Sequence, residues 1–258
     1  MRRPIVGMSY KTYINTIDTA TKKADELVEA AGNEKSVEKF IFPSIGLIYP
    51  VAKAIENSEI NFGAQNISPY LEGAYTGELS IVSVKDIGGK YVEIGHAERK
   101  NTFYETLDML NLKVKLTLEQ NLIPVICIGE NERIEDFDKG KKFFQAQIDA
   151  ILNGINNEYL SNIILAYEPE WAIGKQKAAD SSYVHMIHSM LREIISEFYG
   201  NEEADNIRII YGGSVSENNV SEIVDHSDVD GVFVGRFGHD ANNYQQILNS
   251  VKKLKVGN

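Results

Sequence analysis

A single cysteine, Cys127, stands among 258 residues, so no internal disulfide can form. It sits within the apolar run Leu122–Ile128 and reads as a buried core thiol. Basic residues are also short: 26 Lys and Arg face 37 Asp and Glu, a net charge of −11. That balance excludes a nucleic-acid partner, which needs a concentrated basic face. The lysine-bearing pieces Lys139–Lys142 and Lys252–Lys255 read as solvated helix faces. No apolar run approaches the ~18 residues of a membrane span, and the opening Met1-Arg2-Arg3-Pro4 does not lead into a signal sequence. The expectation is a cytoplasmic protein without a membrane partner. Pro/Gly/Ser-rich linkers and low-complexity segments are missing, so residues 1–258 read as one domain. Also missing are HExxH and a P-loop; His185 and His188 are spaced i, i+3 but have no third ligand nearby, so no metal is expected.

What is present is an ordinary globular composition, 43% apolar and 24% charged. Short β-branched runs recur about every 32 residues, each followed by an amphipathic stretch. Strands are read at Ile5–Ser9, Lys39–Phe42, Ile60–Ala64, Tyr91–Ile94, Ile123–Cys127, Ile163–Tyr167, Arg208–Tyr211 and Gly231–Val234. Helical patterns include Ile17–Ala30, Leu107–Asn121, Lys141–Asn153, Ser181–Phe198 and Ser216–Val224. Continuous apolar strands with helical crossovers mean a parallel sheet covered by helices, an α/β fold. An open doubly wound sheet would usually carry a glycine-rich nucleotide loop after its first strand, where this chain reads Gly7-Met8-Ser9-Tyr10-Lys11. A closed, single-domain (β/α)₈ barrel is therefore favoured.

In such a barrel, chemistry gathers at the carboxyl ends of the strands. Polar residues do collect there: Ser9 and Lys11 after the first strand, His96 and Glu98 after the fourth, and Glu168 after the sixth. A desolvated carboxylate at Glu168 suits proton abstraction, against the plainer reading of a rim salt bridge. His96, just before a helix start, suits a neutral hydrogen-bond donor or a purely structural group. Lys11 could hold an anion or be merely solvated. Gly212-Gly213-Ser214 and Gly231 to Gly235 suit a phosphate cradle of backbone amides, against plain tight turns. Ala172-Ile173-Gly174 has the small residues of a lid.

Taken in order, these segments resemble the triosephosphate isomerase family. The likeness is carried by Gly73-Ala74-Tyr75-Thr76-Gly77-Glu78, Gly95-His96-Ala97-Glu98-Arg99-Lys100, Cys127-Ile128-Gly129-Glu130, Ala166-Tyr167-Glu168-Pro169 and Tyr211-Gly212-Gly213-Ser214-Val215. The resemblance implies a TIM barrel that interconverts dihydroxyacetone phosphate and D-glyceraldehyde 3-phosphate, in glycolysis and gluconeogenesis. It implies Glu168 as the base, His96 as the electrophile, and Lys11 as a cationic stabiliser with Glu98 in support. It further implies substrate contacts at Ser9, Gly174, Ser214, Gly235 and Arg236, no cofactor, and a homodimer through the loop around Thr76.

The chain departs from the family's pattern around the substrate. Ser9 stands where the family usually has Asn, Ala97 where it has Ser, Glu170 where it has Val, and Arg236 where it has Gly. The far lid hinge reads Lys175-Gln176-Lys177. Ser9 leaves room for one more carbon, so an isomerase of a four-carbon ketose phosphate such as an erythrulose phosphate is the alternative. A non-catalytic phosphate-binding barrel is a third reading.

Overall fold

The computed structural model describes residues 2–31, 34–172 and 179–257. Strands β1 (Ile5–Ser9), β2 (Glu38–Phe42), β3 (Ile60–Ala64), β4 (Tyr91–Ile94), β5 (Ile123–Ile128), β6 (Ile164–Tyr167), β7 (Arg208–Tyr211) and β8 (Gly231–Val234) close into one barrel in sequence order. All pairings are parallel, and β1 closes the ring on β8 with Met8 opposite Val234. Each strand boundary lies within one residue of the sequence reading. The helices among the described residues are α1 (Ile17–Ala31), α2 (Ile48–Ala54), α3 (Ile81–Asp86), α4 (Ala97–Phe103), α5 (Leu107–Glu119), α6 (Phe137–Leu152), α7 (Ser181–Tyr199), α8 (Asn201–Asn206), α9 (Val220–Val224) and α10 (Ala241–Lys255).

Local chemistry sets these ends. Thr106, Asp136, Asp180 and Asp240 each accept a backbone N–H from the first turn of α5, α6, α7 and α10. Lys252, Lys253 and Lys255 stand in the last turn of α10, where the helix dipole favours cations. Two corrections to the sequence reading concern helix starts: α6 begins at Phe137 rather than Lys141, and α9 at Val220 rather than Ser216. In the second case Asn219 accepts the Ser216 N–H through its side chain and donates to Ser214 O, holding 214–219 as a turn.

Two apolar layers result from strand alternation. Val6, Met8, Val92, Ile94, Ile126 and Leu165 face outward onto the helices. Ile5, Phe40, Phe42, Tyr91, Cys127 and Phe233 fill the barrel interior, with Phe40 stacked on Tyr91 at 4.5 Å between centroids. The amino-terminal end of the barrel is closed by a satisfied polar cluster. Glu38 accepts from Tyr91 Oη at 2.7 Å and from Arg208 Nη1 at 2.7 Å. No described helix is long and apolar enough to cross a membrane.

Candidate active site

At the opposite end of the barrel, the carboxyl ends of β1, β4 and β6 bring Lys11, His96, Glu98 and Glu168 together. Gly95, at φ +79°, turns the chain out of β4 in a conformation that side chains disfavour. His96 then becomes the N-cap of α4, and its Nδ1 accepts the Glu98 backbone N–H at 3.1 Å. A nitrogen that accepts an N–H carries no proton, so the imidazole is neutral with its hydrogen on Nε2. That Nε2 faces Glu168 Oε2 at 3.4 Å. Both residues are buried, and Oε2 has no hydrogen-bond partner among the described residues. Glu168 is thus a buried, desolvated carboxyl.

Lys11 leaves β1 with φ +46°, a strained backbone for a residue with a side chain. Its carbonyl oxygen is held from two sides: Ser44 Oγ donates to it at 2.5 Å and Gln65 Nε2 at 3.0 Å. Its ammonium donates to Glu98 Oε1 at 2.7 Å. Burial pulls the Lys11 ammonium toward losing its proton, but Glu98, then Glu168 and Glu93, outweigh that and its pKa rises overall. Burial pushes Glu98 up, while the hydrogen bond from Lys11 and the Lys11 charge pull it down further.

Sequence reasoning missed Glu93. It lies in β4 between Val92 and Ile94, is 3% exposed, and points into the barrel below His96. Ser9 Oγ donates to Glu93 Oε2 at 3.4 Å. The space beside Ser9, expected to be free for substrate, therefore borders a carboxyl group. Desolvation, and next the charge of Glu168, push Glu93 well above the ordinary carboxylate range. Ser9, Lys11, Glu93, His96 and Glu98 line a cleft of about 380 Å³ together with Ile45, Ile48 and Phe103. Among the described residues, no group of three or more His, Cys, Asp or Glu side chains could hold a metal ion.

A profile described as Triosephosphate isomerase matches residues 4–251. "Probable triosephosphate isomerase 2" of Listeria monocytogenes serovar 1/2a (strain ATCC BAA-679 / EGD-e) is 44% identical over 99% of this chain and its own full length. "Triosephosphate isomerase" of Thermoanaerobacter sp. (strain X514) is 38% identical over 96% of this chain and all of its own. This chain belongs to the triosephosphate isomerase family. Its relatives are named as isomerases, and this chain is an isomerase of that family.

The isomerase fixes Glu168 from both sides. Glu168 N–H donates to Ile128 O at 2.8 Å, and Gly212 leaves the room its side chain needs, since an added Cβ would lie 2.6 Å from Glu168 Cγ. Beyond it, Glu130 Oε1 accepts from Tyr167 Oη, Trp171 Nε1 and Tyr183 Oη at 2.8–3.0 Å. Glu170, the added charge of the hinge, is neutralised by Lys100 of α4 at 2.7 Å. Arg99 and Lys113 both donate to buried Glu105, which braces α4 against α5.

The expected phosphate side is less gathered. Ser214 Oγ donates to Ala172 O at 3.4 Å. An added Cβ at Gly235 would meet nothing within 4 Å, so backbone approach there is open. Arg236 is exposed, its guanidinium 5.2 Å from the Tyr13 ring centre. Gly174, and with it most of the expected lid and its far hinge Lys175–Lys177, lies outside the described residues. Thr76 lies in the exposed segment 70–78, where Tyr70 and Tyr75 stack at 4.3 Å. His185 stacks on His226 and His188 is buried against Asp228 O, so the two do not form a joint site.

Proposed function

We propose that this enzyme interconverts a short ketose phosphate and its aldose by moving one proton between adjacent carbons. Glu168 is the base. The observation that carries the reading is the neutral His96 Nε2–H set 3.4 Å from a buried Glu168 oxygen that has no hydrogen-bond partner among the described residues. A carbonyl oxygen placed at Nε2 puts the neighbouring C–H within reach of that carboxylate. The C–H bond breaks, its electrons form the carbon–carbon double bond of an enediolate, and Glu168 carries the proton. The carboxyl then returns the proton to the adjacent carbon, the hydroxyl proton passes by way of His96 to the former carbonyl oxygen, and the other oxygen becomes the new carbonyl. His96 donates to the oxygens as charge grows on them, and Lys11, aimed by Glu98, adds a fixed positive charge. Ser214, Gly174, Gly235 and Arg236 are assigned to the phosphate.

The relatives' names support dihydroxyacetone phosphate and D-glyceraldehyde 3-phosphate as the pair. A second reading keeps the chemistry and takes a four-carbon ketose phosphate; Ser9 beside Glu93 favours it. The same family supports a homodimer through the loop around Thr76, where the exposed Tyr70–Tyr75 stack offers a partner surface. Sedimentation of wild type and Thr76→Arg at micromolar concentration checks this, with a dimer expected only for wild type.

Initial rates of Glu168→Asp test the base. Withdrawing the carboxylate by about 1 Å should cost about a hundredfold in kcat. An unchanged rate removes Glu168 from the role. Absence of turnover in wild type with every short sugar phosphate, while phosphate still binds, would favour a non-catalytic barrel.

A further inference from the structure

Two carboxyl groups lie inside this barrel along β2 and β4, and the structure treats them differently. Glu38, at the amino-terminal end, has Tyr91 and Arg208 as partners at 2.7 Å each. Glu93, at the catalytic end, has among the described residues one hydrogen bond, from Ser9 Oγ at 3.4 Å. It is not the ion-pair partner of Lys11, whose ammonium is taken by Glu98 at 2.7 Å. It is not part of the proton-transfer pair either, since Nε2 of His96 faces Glu168. A buried carboxyl with so little compensation costs stability, and such costs gather at functional sites. Glu93 also stands on the wall of the open cleft, with Ser9, Lys11 and His96 around it.

The chemistry of this corner selects its ligand. Ser9 contributes a hydroxyl, which both donates and accepts, and Glu93 contributes a carboxyl held in a desolvated position. Desolvation and the nearby Glu168 push Glu93 upward, toward the protonated form that can donate as well as accept. A second anion, such as a phosphate, gains little beside Glu93 and Glu168. A neutral hydroxyl satisfies the corner fully. The asymmetry matters for selection: a site built to hydrogen-bond a hydroxyl rejects an analogue lacking it by large factors, because buried polar groups are then left unpaired.

We infer that Glu93 and Ser9 together receive a substrate hydroxyl beyond those of a triose phosphate, and that this pair makes the cleft select a four-carbon ketose phosphate over a three-carbon one. The inference rests on the isomerase reading above and names its substrate class.

The test compares kcat/KM for dihydroxyacetone phosphate with that for the erythrulose phosphates, in wild type, Glu93→Leu and Glu93→Gln, with thermal melts to confirm folding. Wild type should favour an erythrulose phosphate by at least about a hundredfold. Glu93→Leu should collapse that preference, chiefly by losing the four-carbon substrate. Glu93→Gln keeps a neutral donor and acceptor and should hold the preference within about tenfold. Equal losses on both substrates in Glu93→Leu would make Glu93 structural and overturn the inference. A wild-type preference for the triose would overturn it too, while leaving the isomerase reading standing. Turnover of neither substrate by wild type would remove both.

Discussion

Gly212 is demanded by Glu168 rather than by its own backbone. Its φ lies outside the left-handed region, so alanine is conformationally allowed there. The added methyl would sit 2.6 Å from Glu168 Cγ and 2.7 Å from Oε1, where ordinary contact begins at 3.4 Å. The carboxylate must therefore retreat by just under an ångström, and displacement on the order of 1 Å from reacting geometry costs about a hundredfold in rate. Stability should barely move. Replacing glycine where alanine fits stabilises by about 0.4–1 kcal/mol through the unfolded chain, which offsets the shift of one side chain. The assay is kcat for Gly212→Ala beside Gly46→Ala, whose methyl would meet nothing within 4 Å. The first should lose about two decades in kcat and the second none, both with melting temperatures near wild type. Wild-type kcat in Gly212→Ala would refute the reasoning. So would a loss of activity that only tracks a collapse in melting temperature.

Other perturbations separate chemistry from folding. Glu98→Gln removes the partner of Lys11 from a half-exposed position, so stability should change by under about 1 kcal/mol while kcat falls about tenfold or more. Because Glu98 leads the upward pull on Lys11, the basic limb of the rate–pH profile should also move to lower pH. Glu105→Ala leaves Lys113 buried without its carboxylate and frees Arg99, and should cost about 3–5 kcal/mol in a denaturant melt. His188 is fully buried, and desolvation holds its pKa down at about 3. An unfolded chain takes up that proton near pH 6.5, so stability falls as pH drops from about 6.5 toward 3. At about 1.4 kcal/mol per unit, urea melts of wild type and His188→Gln should converge by about 3 kcal/mol between pH 7 and pH 4. A constant gap would remove His188 as the cause.

The barrel was legible because parallel strands covered on both sides must be continuously apolar, and β-branched runs at even spacing leave few alternatives. Glu38 was left outside the second strand for that reason: a charge at a strand end looks like a loop until Arg208, 170 residues away, is seen to pair with it. Helices α2, α3, α4 and α8 are too short to show a clear apolar stripe. Lys11, His96, Glu98 and Glu168 were legible because each lies within four residues of the carboxyl end of a strand. Gln65 and Ser44 were not, since they act on the backbone of Lys11 across 54 and 33 residues. Glu93 was hidden within an apolar strand. Alternation with inward-facing Tyr91 was the one signal that placed it inside the barrel.

The most direct measurement follows a short ketose phosphate by proton NMR in D₂O, with wild type and Glu168→Gln side by side. Wild type should form the aldose with deuterium entering at the carbon that exchanges with Glu168, and Glu168→Gln should slow this by about 10²–10⁴. Isomerisation at the wild-type rate in Glu168→Gln would contradict proton transfer through that carboxylate.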